Sequence, residues 1–65
     1  MTKERFEHMY GITVNSLNWE QGWNGMFEYA SVGPYTVYKD AAWGYYVAEG
    51  SSRIHWAVNL NQYIR

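Results

Sequence analysis

Cysteine is absent from this 65-residue chain, which excludes a disulfide framework and thiolate metal sites, the usual staples of very small domains. A reducing, cytoplasmic setting is the reading that follows. Proline occurs once, at Pro34, and no tract of biased composition marks a linker. No run approaches the ~18 apolar residues that a membrane span requires, and the charged opening residues have no apolar stretch behind them. Neither export nor a membrane partner is expected.

Positive charge is scarce too: five bases against six acids give a formal charge of −1. A protein that clamps a nucleic-acid backbone needs the opposite balance, so direct nucleic-acid binding is not expected. Four of the bases, Lys3, Arg5, Arg53 and Arg65, lie toward the ends. Residues 6–52 set five carboxylates, Glu7, Glu20, Glu28, Asp40 and Glu49, against Lys39 alone, a formal charge of −4. Ordinary solvated carboxylates account for such a stretch. The functional alternative is an acidic face turned toward a basic partner.

Aromatic residues are what the chain has in excess, at 20% of positions. Ordering each residue costs about 1.5 kcal/mol, so a chain this short must bury on the order of 4,000 Å² of apolar surface at about 25 cal/mol/Å². Rings that bury roughly 150–250 Å² each supply area that length does not. One core, and a single domain over residues 1–65, is the expected organisation.

Residues 2–10 read as a short helix with Thr2 as N-cap, Phe6, Met9 and Tyr10 on one face, and Gly11 as terminator. In the next stretch Ile12, Thr13 and Val14 suggest a strand, while Asn15 or Ser16 can cap a second short helix ending at Gly22; we read the helix. Leu17 and Trp19 then fall on different sides, and at least one packs under the sheet.

Three runs of β-branched and aromatic residues follow, 26–32, 35–39 and 43–48, joined by Gly33-Pro34 and by Asp40-Ala41-Ala42. They predict a three-stranded antiparallel meander. Alternation offers one face with Phe27, Tyr29, Tyr35, Val37, Tyr45 and Val47, and another with Glu28, Ala30, Thr36, Tyr38, Gly44 and Tyr46. Residues 51–65 support two periods: Ile54, Trp56, Val58 and Leu60 alternate as a fourth strand would, and Trp56, Ala57, Leu60, Tyr63 and Ile64 share a helical stripe that Ser51 or Ser52 can cap. We read a C-terminal helix. The fold class is therefore α+β, a meander flanked by short N-terminal helices and a C-terminal helix, with Phe27, Val37, Tyr45, Val47, Trp56 and Leu60 in the core.

Nothing in this pattern carries catalysis. His8 and His55 lie in no nucleophile-base motif, only Glu4 and His8 have tight metal-ligand spacing, and Gly22-Trp23-Asn24-Gly25 lacks the lysine and spacing of a phosphate loop. No catalytic residue, metal or cofactor is expected. Most of Trp19, Trp23, Trp43 and Trp56 should be core; Tyr38 and Tyr46, on the outer sheet face, are the best candidates for interface anchors.

In its very short, cysteine-free, mildly acidic composition, and in the order of a 26–48 meander followed by the 51–65 segment, the chain resembles the small phage-encoded anti-CRISPR proteins that inhibit type I effector complexes. That resemblance implies a monomeric, non-enzymatic inhibitor in a bacterial host cell, occupying a basic DNA-binding subunit and blocking target recognition. Glu20, Glu28, Asp40 and Glu49 would then stand in for phosphates, with Tyr38 and Tyr46 supplying contact area. A net charge of −1 is slight for such mimicry, so steric blocking by aromatic contacts stands beside it. Two other classes compete: a carbohydrate-binding module, because Val37 to Trp43 resembles the strand-turn-aromatic segments of small sugar-binding domains, and an assembly protein that self-associates through exposed aromatics.

Overall fold

The computed structural model describes residues 1–64. Its first element is α1, Lys3–Tyr10. Thr2 caps it, the hydroxyl accepting the Arg5 N–H at 3.2 Å, and Gly11 ends it in the left-handed region with φ 62. Only glycine takes that conformation without strain. Phe6 and Tyr10 turn inward and are fully buried, with Met9 packed beside them.

The predicted second helix is absent. A 3-10 turn at Val14–Ser16 is followed by a two-residue strand, β1, Glu20–Gln21. The reason is local competition: Thr13 gives no capping bond, and the Ser16 hydroxyl donates to the Thr13 carbonyl at 2.7 Å, which favours a turn over a longer helix. Ile12, Val14 and Leu17 bury themselves at irregular spacing, and Trp19 packs against the same core while its Nε1 donates to the Val14 carbonyl at 2.9 Å. Both Leu17 and Trp19 therefore serve the core.

What holds this turn against the helix is Glu7, whose carboxylate accepts the part-buried Val14 N–H at 2.7 Å. Glu7→Ala should leave that donor unpaired and cost about 1.5–3 kcal/mol, the range for hydrogen bonds to charged groups. Urea denaturation checks this, and an unchanged midpoint would show that water replaces the carboxylate.

The meander is present as β2, Phe27–Val32, β3, Tyr35–Asp40, and β4, Gly44–Glu49. With β1 and a second short strand, β5, Ser52–Arg53, it forms a five-stranded antiparallel sheet in sequence order. The sheet is thus larger than the three strands expected, and the molecule is a small α+β domain. Among the described residues no helix is long and apolar enough to cross a membrane.

Register corrects the assignment of faces. The two-residue Gly33-Pro34 turn pairs Val32 with Tyr35, which forces Ala30 opposite Val37 and Tyr29 opposite Tyr38. Directly paired residues share a face. Ala30, Val32, Val37 and Val47 consequently line the buried face under α1, with Tyr35 and Tyr45 packed at its margin. Phe27 and Tyr29, expected on that side, lie on the opposite one with Tyr38 and Tyr46.

The C-terminal segment is neither the predicted helix nor a full fourth strand. Ser52 and Arg53 pair with β4, the Ile54 N–H continues the ladder onto the Val47 carbonyl at 3.0 Å, and a 3-10 turn closes the segment at Leu60–Tyr63. Ladder pairing directs Ile54 into the core, which a helix starting at Ser51 would not do. Leu60 is fully buried, whereas Trp56, assigned to the core from sequence, is 55% exposed. Asn59 caps the final turn by accepting the Asn61 N–H at 3.2 Å. Arg65, the last residue of the predicted helix, lies outside the described residues.

Candidate functional site: the open aromatic face of the sheet

Cross-strand pairing places Tyr29, Tyr38 and Tyr46 in one row over β2, β3 and β4, with Phe27 one position along β2 on the same face. Their rings touch in sequence. Tyr38 and Tyr46 stack at 5.1 Å with an 18° interplanar angle, Phe27 sits 5.9 Å from Tyr38, and Tyr29 lies 6.2 Å from Phe27. Arg53 extends the row from β5: its guanidinium lies 4.3 Å from the Tyr46 ring centre and 5.0 Å from that of Trp43. Aromatic pairs contribute about 0.5–1.5 kcal/mol each beyond their burial, and a cation over a ring about 0.5–1 kcal/mol where exposed. The row is a braced surface.

These four rings are half-buried, and none belongs to the core or packs against it. At the margin of the face stands the exposed indole of Trp43, 65% accessible; with Trp23 at 91% and Trp56 at 55%, only Trp19 of the four tryptophans expected mostly in the core packs against it. Phe27 is seated on Gly22, where an added Cβ would overlap the ring. Gly22→Ala should therefore unseat Phe27 and cost about 1–3 kcal/mol, as overpacking does. Near-UV circular dichroism should change with it; an unaltered aromatic spectrum would argue against the seat.

Burial holds the Tyr46 hydroxyl above its ordinary pKa of 10.0, with Asp40 and Tyr38 raising it further and Arg53 opposing. A raised folded value means that the neutral hydroxyl supports the fold below the ordinary value and that this support is lost as pH climbs through the folded one. Arg53→Gln should move the Tyr46 titration upward, because it removes the one lowering influence. Tyrosinate absorbance measures it, and a downward shift would contradict the contact.

The residues singled out from sequence are distributed over both faces. Tyr38 and Tyr46 are brought together on the open side, as alternation within β3 and β4 indicated. Glu20, paired with Tyr29, and Asp40, paired with Gly44, belong to that side as well. Asp40 also shapes the β3–β4 turn, its Oδ1 accepting the N–H groups of Ala42 at 2.7 Å and Trp43 at 3.1 Å. Glu28 and Glu49 fall on the α1 side. Glu28 lies 3.6 Å from the Lys39 ammonium in a half-exposed pair, the kind worth about 0–1 kcal/mol. Glu49 is exposed at the end of β4 and raises the Tyr35 hydroxyl pKa, secondarily to burial. The four carboxylates do not form one acidic surface.

Phe27, Tyr29, Trp43 and Arg53 join the site without having been chosen from sequence. The signal for the first two was the parity of the Gly33-Pro34 turn. Among the described residues no three His, Asp or Glu side chains are grouped to hold a metal ion. The chain matches no family model, and no curated protein or solved structure is detectably similar to it.

Proposed function

We propose that this chain is a non-catalytic inhibitor that docks its open aromatic face onto a protein partner inside a bacterial cell. The observation that carries this reading is the braced row Tyr29, Phe27, Tyr38, Tyr46 on a sheet face that the chain's own core does not use. Tyrosine and tryptophan dominate binding hot spots because they combine apolar area with a hydrogen-bonding tip and lose few rotamers on binding. Rings already locked against one another lose fewer still.

Charge on the face supports a protein with basic character over a nucleic acid. Glu20 and Asp40 sit at its margins, and among the described residues its base is Arg53, whose guanidinium lies against two rings. A backbone-tracking surface needs free cations along the row. With Glu28 and Glu49 on the other side, the partner is blocked chiefly by aromatic contact, and the two remaining carboxylates steer the approach.

The resemblance to inhibitors of type I CRISPR effector complexes supplies the test system. Adding the protein to such a complex should abolish binding of target DNA at stoichiometric concentrations. A carbohydrate-binding surface is the second reading, favoured by the exposed indole of Trp43 beside the row. Titration with cellulose- and chitin-derived oligosaccharides separates the two: saturable quenching of tryptophan fluorescence by these sugars, with DNA binding by the complex unaffected, would establish the sugar reading in place of the inhibitor.

A further inference from the structure

A cleft of about 350 Å³ opens at the β5 end of the aromatic face, between α1, the β3–β4 turn, β4 and the residues after β5. Its charged lining is basic: Arg5 comes from α1 and Arg53 from β5, with His55 from the following segment and the tyrosines of β4 beside them, and no carboxylate lines it among the described residues. Trp43 and Tyr46 form its aromatic wall, and both rings contact the Arg53 guanidinium. The floor is fixed by main-chain bonds, the Met1 nitrogen donating to the carbonyls of Trp43 at 3.2 Å and Tyr45 at 3.3 Å, and the Tyr45 N–H returning to the Met1 carbonyl at 3.1 Å.

Among the described residues the one ion pair is Lys39 with Glu28, so neither Arg5 nor Arg53 has a carboxylate partner. Asp40, whose charge acts on Tyr46, is turned to its own loop by the Ala42 and Trp43 N–H groups. Two arginines that line one cleft without a counter-ion create a local positive potential in a chain whose formal charge is −1. Guanidinium groups present a planar fork that matches phosphate bidentately, and both they and the exposed indole offer planes on which a flat ring stacks.

From this lining we infer that the cleft is a binding site for a phosphate monoester carried on a planar ring, of the nucleoside monophosphate class. Arg5 and Arg53 hold the phosphate, His55 adds a donor, and the base lies against Trp43. The volume lies at the small end of the range for ligand pockets, about 300–1,000 Å³, and suits one nucleotide and not a strand. That limit agrees with the absence of further cations along the rest of the face among the described residues. This site goes beyond the protein-docking reading; it shares Tyr46 and Arg53 with the row, and Arg5, on α1 outside the row, is the residue whose replacement tests the small-molecule site alone.

The test is a titration of the intact protein with adenosine monophosphate, followed by Trp43-sensitive fluorescence and by amide chemical shifts. Parallel titrations use adenosine, ribose 5-phosphate, inorganic phosphate and a 5′-phosphorylated dinucleotide. The monophosphate should saturate at millimolar or lower concentration with shifts at Arg5, Trp43, Arg53 and His55. Adenosine and ribose 5-phosphate should each bind at least tenfold more weakly. Comparable binding of the dinucleotide would place the source at a strand end; weaker binding would place it at a free nucleotide. Arg5→Gln and Arg53→Gln should each weaken the monophosphate at least tenfold, and the amide spectrum shows whether each variant is folded. Because Arg5 is exposed, its variant keeps the test decisive if Arg53→Gln disturbs the sheet. No shift in the cleft up to several millimolar monophosphate, or equal binding of adenosine, would overturn the assignment.

Discussion

Phe6→Ala is expected to cost about 3–5 kcal/mol and to leave a large share of the chain unfolded at room temperature. Phe6 is fully buried, and its ring lies 5.2 Å from Tyr10 and 5.6 Å from Tyr45. With Tyr10, it is one of the two fully buried side chains that join α1 to the sheet. A domain of this size has about 3–10 kcal/mol of stability in total, at 0.05–0.15 kcal/mol per residue. Removing the ring also removes two aromatic contacts and leaves a cavity in the core between α1 and the sheet. Urea denaturation by far-UV circular dichroism measures the loss, with Phe6→Leu as a milder control expected to retain most of the stability. An alanine variant with the parental midpoint would show that α1 is dispensable to the core.

The second large effect concerns binding. Replacing Tyr38 and Tyr46 together by alanine should weaken the protein partner by a factor of 100 or more, since anchor residues contribute about 2 kcal/mol or more each. The loss should appear as faster dissociation, because what is removed is desolvated contact. Stability should fall as well, by about 1.5–4 kcal/mol, because the stacked pair, the Phe27–Tyr38 contact and the Arg53 guanidinium over Tyr46 are lost together, so the comparison is made where far-UV circular dichroism shows the variant folded. Reversing Glu20 to lysine, and replacing Asp40 by asparagine so that an acceptor remains for the Ala42 and Trp43 N–H groups, should act differently: association slows, and its salt dependence diminishes. Surface plasmon resonance separates the two effects. A double alanine variant that dissociates at the parental rate would remove the row from the interface.

Much of this architecture was legible in residues whose signals are local. Thr2 and Gly11 bracket the helix because capping and left-handed termination depend on a few neighbouring atoms. The meander was legible because Gly33-Pro34 and the short turn after Asp40 interrupt runs of strand-forming residues. The faces were harder to assign because alternation fixes only relative phase within a strand; the phase between strands comes from turn length. Counting across the Gly33-Pro34 turn would have placed Ala30 with Val37 and released Phe27 to the open side.

The two remaining differences have tertiary causes. Ile54 is committed by its bond to Val47, and this pairing sets the path that leaves Trp56 in solvent. The segment after Tyr10 is governed by the Glu7 bond to Val14, seven residues away. No periodicity encodes either contact. The candidate site divides the same way: Tyr38 and Tyr46 follow from alternation within their strands, whereas Arg53 reaches them only because β5 pairs with β4.

The central claim, that the aromatic row is the working surface, is tested most directly by titrating the protein into a type I CRISPR effector complex while measuring target-DNA binding. The parent should suppress DNA binding to completion at stoichiometric concentration, and the folded Tyr38→Ala, Tyr46→Ala double variant should leave it intact at the same concentration. DNA binding that persists in excess parent protein, or that is lost equally with the double variant, would contradict the account.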